Sequence, residues 1–207
     1  ALGAVDITVE DMVAAYGTFA NQGVYVKPQF ISRIEDKSGV VIYEPIPESH
    51  DVLNKDIAFA VIKLLEGVTE TGSGVRLRTE GGGSGDNRWT GYPYMFRNPI
   101  AGKTGTTQNQ SDGWFMGMVP NLVTGVWVGC EDRSARFKSL TYGQGATAAL
   151  PVWGYFMKKC YEDETLKVSK EEFDRPSNLS IKVDCYTRPA VVKDTTAVEQ
   201  ETEEFEL

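Results

Sequence analysis

Ile100-Ala101-Gly102-Lys103-Thr104-Gly105-Thr106-Thr107, Asp112-Gly113-Trp114-Phe115-Met116-Gly117-Met118-Val119 and Leu122-Val123-Thr124-Gly125-Val126-Trp127-Val128-Gly129-Cys130 are the three runs that decide the fold. The gaps between them hold turn-formers, Gln108-Asn109-Gln110-Ser111 in one and Pro120-Asn121 in the other. Links that short force adjacent strands to run antiparallel, so residues 100–130 are predicted to form a three-strand meander. Gly102, Gly105, Gly117, Gly125 and Gly129 fall inside these strands. Glycine weakens a strand, so five of them predict close packing by a helix, or a backbone that something must approach.

Outward from the meander the pattern becomes helical. Thr8 is placed as an N-cap, acidic Glu10 and Asp11 follow, and Val9, Met12, Val13, Tyr16, Phe19 and Ala20 recur at helical spacing up to a Gly23 stop. Residues 30–35 and 40–44 are β-rich and flank Asp36-Lys37-Ser38-Gly39, a hairpin signal. A second helix is predicted from an Asn54 cap, with Ile57, Ala60, Val61, Leu64, Leu65 and Val68 as its apolar stripe, ending before Thr71-Gly72-Ser73-Gly74. Residues 79–98 show no period; their aromatics Trp89, Tyr92, Tyr94 and Phe96 read as cover for a neighbouring apolar surface, with a ligand groove as the other reading. After a Gly-rich loop at 141–145, residues 146–161 read as a helix that Pro151 would kink if it starts early. The class is α+β. Residues 1–162 are expected to be one domain portion and 163–207 an acidic, partly disordered extension, with a short strand or extended clasp near 176–185 and a loose end from 195.

Composition narrows the function. Net charge is −8, and residues 162–207 carry 13 of the 29 acidic but only 6 of the 21 basic residues. The rest is nearly neutral, which excludes the basic face of a nucleic-acid groove. The acidic end reads as a solvated tail, with a partner-binding tail as the other reading. Cys130, Cys160 and Cys185 have no C-x-x-C spacing, and His50 lies in the polar run Pro47-Glu48-Ser49-His50-Asp51, where it reads as a loop residue. No metal and no cofactor is expected. An oxidising compartment would allow a Cys160–Cys185 bridge; three separate thiols is the other reading. No stretch reaches the 18 or so apolar residues needed to span a bilayer. Ala1-Leu2-Gly3-Ala4-Val5 carries no leader pattern and reads as the interior of a longer protein.

Lys103-Thr104-Gly105 is the sharpest chemical feature. A β edge offers free backbone groups to an extended peptide, Gly105 clears the approach, and Lys103 supplies a cation for a carboxylate. Thr104 and Thr106 add hydroxyls to the same rim. Taken alone, the tripeptide reads as a Thr- and Gly-rich strand with one exposed lysine. Its surroundings change that. Residues 1–160 resemble the bifunctional (class A) penicillin-binding proteins: Ile7-Thr8-Val9-Glu10-Asp11-Met12 with Ala15-Tyr16-Gly17-Thr18-Phe19-Ala20-Asn21-Gln22-Gly23, then Thr71-Gly72-Ser73-Gly74, which is similar to the family's Gly-Thr-Gly turn. Ala101-Gly102-Lys103-Thr104-Gly105-Thr106-Thr107 with Asp112-Gly113-Trp114-Phe115, Val126-Trp127-Val128-Gly129 and Ala149-Leu150-Pro151-Val152-Trp153 continue the match in order.

The resemblance implies part of a serine β-lactamase/penicillin-binding transpeptidase fold, with helices on both faces of a five-stranded antiparallel sheet. It implies a D,D-transpeptidase that cross-links peptidoglycan stem peptides through an acyl-enzyme and is trapped by β-lactam antibiotics. It gives Lys103 and Thr104 a catalytic and carboxylate-binding role, and makes Gly105 and Thr106 further substrate contacts, Thr106 through an oxyanion hole. It also implies a parent anchored at the extracytoplasmic face of the bacterial inner membrane, with a glycosyltransferase half upstream. One departure is plain: no serine here has lysine three residues later, and none begins an S-x-N, so the nucleophile is absent from this chain. The chain is therefore expected to be inactive alone, and prone to self-association through uncovered edges and apolar faces. A non-catalytic binding domain on this scaffold, or part of a β-lactam sensor or β-lactamase, are the alternatives.

Overall fold

The computed structural model describes residues 5–78 and 94–183. Helix α1 (Val9–Ala20) starts where the Thr8 hydroxyl accepts from the Asp11 amide at 3.0 Å, the N-cap that the sequence predicts. At Gly23 the backbone turns left-handed (φ +93°), and a Cβ there would sit 2.1 Å from the Leu53 carbonyl oxygen. Only glycine can both end α1 and lie against residues 52–53.

The segment between the first two helices holds two small antiparallel pairs. Strands β2 (Ile34–Glu35) and β3 (Val41–Tyr43) form the expected hairpin, shortened by an irregularity after Ile34. Its turn is fixed by the Asp36 carboxylate, which accepts from the Ser38 and Val40 amides, and by Gly39 at φ +82°. Strands β1 (Val24–Val26) and β4 (Ser49–Asp51) also pair, which the sequence did not predict. His50 therefore belongs to a strand, not a loop, and its ring lies 5.1 Å from that of Tyr25.

Helix α2 (Lys55–Glu70) begins at the predicted cap, where Asn54 accepts from the Ile57 amide. Its buried face overlaps the predicted stripe only in part, with Leu65 buried and Val61 packed against the core. Ala58, Phe59, Ile62, Leu65, Glu66 and Thr69 point inward, while Ile57 and Leu64 are exposed. Apolar residues surround most of this helix, so periodicity alone does not choose the face and tertiary packing does.

The meander forms as predicted: β5 (Ala101–Thr106), β6 (Asp112–Val119) and β7 (Leu122–Gly129) lie antiparallel in that order. Alternation sends Ala101 and Met118 to one face, where Phe59, Ile62 and Leu65 of α2 join them. Ile100, Phe115 and Val119 face the other way, against Leu150, Trp153 and Met157. Those residues lie on α5 (Leu150–Glu162), preceded by the short α3 (Leu140–Gly143) and α4 (Gly145–Ala148). The helix predicted over 146–161 is thus split at Ala149, with Pro151 in the first turn of α5, where its missing N–H costs nothing. The loop predicted at 141–145 is mostly the single turn α3. Helices cover both faces of the sheet, an α+β arrangement; among the described residues the sheet has three strands. No helix among them is long and apolar enough to cross a membrane.

Tyr94 and Phe96 are buried against α5, covering an apolar surface; Trp89 and Tyr92 lie outside the described residues. Beyond α5 the chain continues without a strand to 183. Asn121 bonds to Lys167 and Ser169, Phe173 is buried among Phe59, Ile62 and Leu65, and the Ser180 amide donates to Asp56. This is an extended strap. Cys185, and any bridge to Cys160, lies outside the described residues, as do residues 195–207.

The strand glycines are packing devices. At Gly117 an added Cβ would lie 2.4 Å from the ring of fully buried Trp153. Gly117→Ala is expected to destabilise the chain by about 1–3 kcal/mol through overpacking, read as a lower denaturant midpoint with an unchanged slope.

Candidate functional site

Among the described residues no strand pairs with β5 on the side away from β6. Lys103, Thr104, Gly105 and Thr106 all lie on this strand, so the predicted site residues are brought together on one edge. Register with β6 divides them. Lys103 and Gly105 pair with Met116 and Trp114 and face the α1–α2 layer; Thr104 and Thr106 pair with Phe115 and Gly113 and face the α4–α5 layer. The Lys103 ammonium is exposed and donates to the Thr104 carbonyl at 2.8 Å. A Cβ on Gly105 would lie 3.0 Å from that of Trp114, so this position is kept low against the neighbouring strand.

Each threonine hydroxyl has a partner from a different element. Thr106 Oγ1 accepts from the Gly145 amide at 3.0 Å, at the start of α4. Thr104 Oγ1 lies 2.6 Å from Ser73 Oγ, in the turn that follows α2. That turn runs beside β5. Thr69 donates to the Ile100 carbonyl at 2.6 Å below it, and Arg76 reaches the Ala146 carbonyl at 3.3 Å above it. The edge is therefore open to backbone pairing but bordered by side-chain contacts.

The tip of the β5–β6 hairpin is held by a buried carboxylate that the sequence reading did not assign. One Asp112 oxygen accepts from Thr107 (2.8 Å) and Ser111 (2.9 Å), and the other from the Trp127 indole N–H (3.0 Å). The Asp112 amide donates to Thr107 Oγ1, closing the tip around left-handed Asn109 and Gln110. The cluster borders a cavity of about 420 Å³ that Trp114, Trp127 and Arg133 also line. Burial works to raise the Asp112 carboxyl, but the donors Thr107, Trp127 and Ser111, with the Arg133 charge, outweigh it and hold it below the ordinary aspartate value. The sequence signal available was Asp112 five residues after Thr107, across a four-residue tip.

A carboxyl depressed in the folded state stabilises the fold above its unfolded value, and that contribution fades as pH falls through the folded value. Asp112→Asn is expected to lose about 1–3 kcal/mol at neutral pH, because an amide cannot accept from three donors. Its melting temperature is also expected to fall less than that of the unsubstituted chain between roughly pH 5 and pH 2, measured by circular dichroism.

The family described as Penicillin binding protein transpeptidase domain matches residues 1–148. Penicillin-binding protein 1A of Aquifex aeolicus is 34% identical over 196 residues, 95% of this chain and 24% of that protein. Penicillin-binding protein 1A of Rickettsia typhi is 32% identical over 171 residues, 79% of this chain and 21% of the relative. The chain thus spans about a quarter of the length of the curated relatives it matches. Among solved structures, penicillin-binding protein 1A of Haemophilus influenzae superposes with a TM-score of 0.68 at 22% identity, over 85% of this chain and 29% of that one. PonA1 of Mycobacterium tuberculosis in complex with penicillin V gives a TM-score of 0.61 at 25% identity, over 82% and 41%.

Proposed function

This chain belongs to the penicillin-binding protein transpeptidase family, and we propose that its residues 1–162 form the substrate-binding wall of a peptidoglycan D,D-transpeptidase whose nucleophilic serine lies elsewhere in a longer class A protein. The observation that carries the reading is the open edge of β5, where the Lys103 ammonium on one face and the Thr104 and Thr106 hydroxyls on the other lie within four residues of one strand. Such an edge receives an extended stem peptide by backbone pairing, while the cation and hydroxyls receive its terminal carboxylate. Gly105 leaves room for the peptide, and Thr106 supplies a backbone contact at the reacting carbonyl. A β-lactam carries the same carboxylate, and the PonA1 complex with penicillin V supports binding of that class here.

The chemistry then divides between two walls. This one binds and orients. Bond-making needs a serine with an adjacent lysine, and no serine of this chain has lysine three residues on. In the parent protein the acting site would face the extracytoplasmic side of the inner membrane, where stem peptides are found.

Two experiments test the reading. The 207-residue chain is expected to form no covalent adduct with a fluorescent penicillin, while the full-length protein acylates and its Lys103→Ala variant does so on the order of 100-fold more slowly with an unchanged melting temperature. A stoichiometric adduct on residues 1–207, or full-speed acylation without Lys103, would overturn the assignment. A full-length protein that never acylates would favour a non-catalytic scaffold. Separately, the isolated chain exposes Ile57 and Leu64 on α2 and Phe30 and Ile46 beside the small sheets. Light scattering is expected to show association that rises with concentration and weakens in Leu64→Glu; a monomer at every concentration excludes it.

A further inference from the structure

Ser73 contributes a hydroxyl to the β5 rim from outside the strand. Its position is built by the backbone around it. A Cβ on Gly72 would lie 2.8 Å from the Val68 backbone, and one on Gly74 3.2 Å from the Val68 carbonyl oxygen. The Gly72 amide donates to Gly67 and the Gly74 amide to Val68, so the turn folds back on the last turns of α2 and projects Ser73 toward Thr104. Thr69 on Ile100 and Arg76 on Ala146 fix the same segment at both ends.

Proton counting gives this contact a direction. A hydroxyl has one proton to donate and lone pairs to accept, and a carboxylate only accepts. For Thr104 to bind a carboxylate, its proton must go to the ligand, and the 2.6 Å contact survives only if Ser73 is the donor. Thr106 already has this arrangement: its oxygen accepts from the Gly145 amide, which leaves its own proton available. We propose that Ser73 is a positioning residue for carboxylate-bearing ligands, donating to Thr104 Oγ1 so that the Thr104 proton points to the ligand. A donor behind Thr104 also polarises its O–H, making it a stronger donor in turn. The inference rests on the transpeptidase reading above and deepens it at the same rim.

The test uses the full-length protein and its second-order rate of acylation by a penicillin with a free carboxylate. Ser73→Ala is expected to slow acylation about five-fold, the scale of one neutral hydrogen bond. Ser73→Thr, which keeps the hydroxyl, is expected to restore the rate to within about two-fold. On a Thr104→Ala background, Ser73→Ala is expected to cost nothing further, and melting temperatures to stay level throughout. A purely structural turn residue would give equal losses on both backgrounds and a lower melting temperature. That pattern, or acylation of Ser73→Ala at the unsubstituted rate, overturns the proposal while leaving the transpeptidase reading intact. Absence of acylation in the unsubstituted protein removes that reading and this inference together.

Discussion

The rim of β5 depends on how closely the α4–α5 layer can approach the sheet, and that approach is set by missing Cβ atoms. A Cβ on Gly145 would sit 2.3 Å from the carbonyl oxygens of both Gly105 and Trp114. Helix α4 therefore begins directly on the backbones of β5 and β6. That is what lets the Gly145 amide reach Thr106 Oγ1 at 3.0 Å. One strand over, Gly117 admits Trp153, which is fully buried among Phe96, Ile100 and Phe115. Burying a side chain of that size stabilises by a few kcal/mol, but only where the sheet has no side chain in the way. The glycines thus trade strand propensity for helix contact, and the contact fixes the edge at which ligands would arrive.

Much of this was legible because it is local. Thr8 and Asn54 cap their helices through side chains three residues from the amides they accept, a signal that needs no tertiary knowledge. The meander is equally local, since four-residue and two-residue links leave no other pairing. What failed was non-local. Strands β1 and β4 have three residues each and lie more than twenty residues apart, so neither carries a periodic pattern long enough to read. The face of α2 is only partly legible, because Ile57 and Leu64 are as apolar as Phe59 and Ile62, and only the sheet decides between them. Helix α3 was hidden by its glycine and its four-residue length.

The site was half legible for the same reason. Lys103, Thr104, Gly105 and Thr106 are contiguous, so naming one strand named them all. Ser73 and Asp112 work through contacts that the sequence leaves open: thirty-one residues separate Ser73 from Thr104, and fifteen separate Asp112 from Trp127. A serine between two glycines is ordinary turn chemistry until the turn is seen to lie against a strand. Asp112 in turn became interpretable only with Trp127 seen on the neighbouring strand.

On the proposed reading, the rim orients a carboxylate mainly through hydroxyls that neighbouring elements hold, with the Lys103 cation on the same strand. A carboxylate must leave water to bind, and a single ammonium in solvent contact would repay that cost poorly. Thr106 is held by a backbone amide of α4 and Thr104 meets Ser73 from the turn after α2, so the two hydroxyls are fixed by opposite sides of the same edge. Preorganised dipoles need no reorientation when charge arrives, which makes each hydrogen bond worth more than its neutral counterpart in water. Lys103 lies on the other face and donates to the Thr104 carbonyl from an exposed position. Charge then sets attraction and the hydroxyls set orientation. On the proposed transpeptidase reading the second is the more demanding, because an acyl carbonyl would have to be placed within about 3–3.5 Å of a nucleophile supplied from elsewhere in the longer protein.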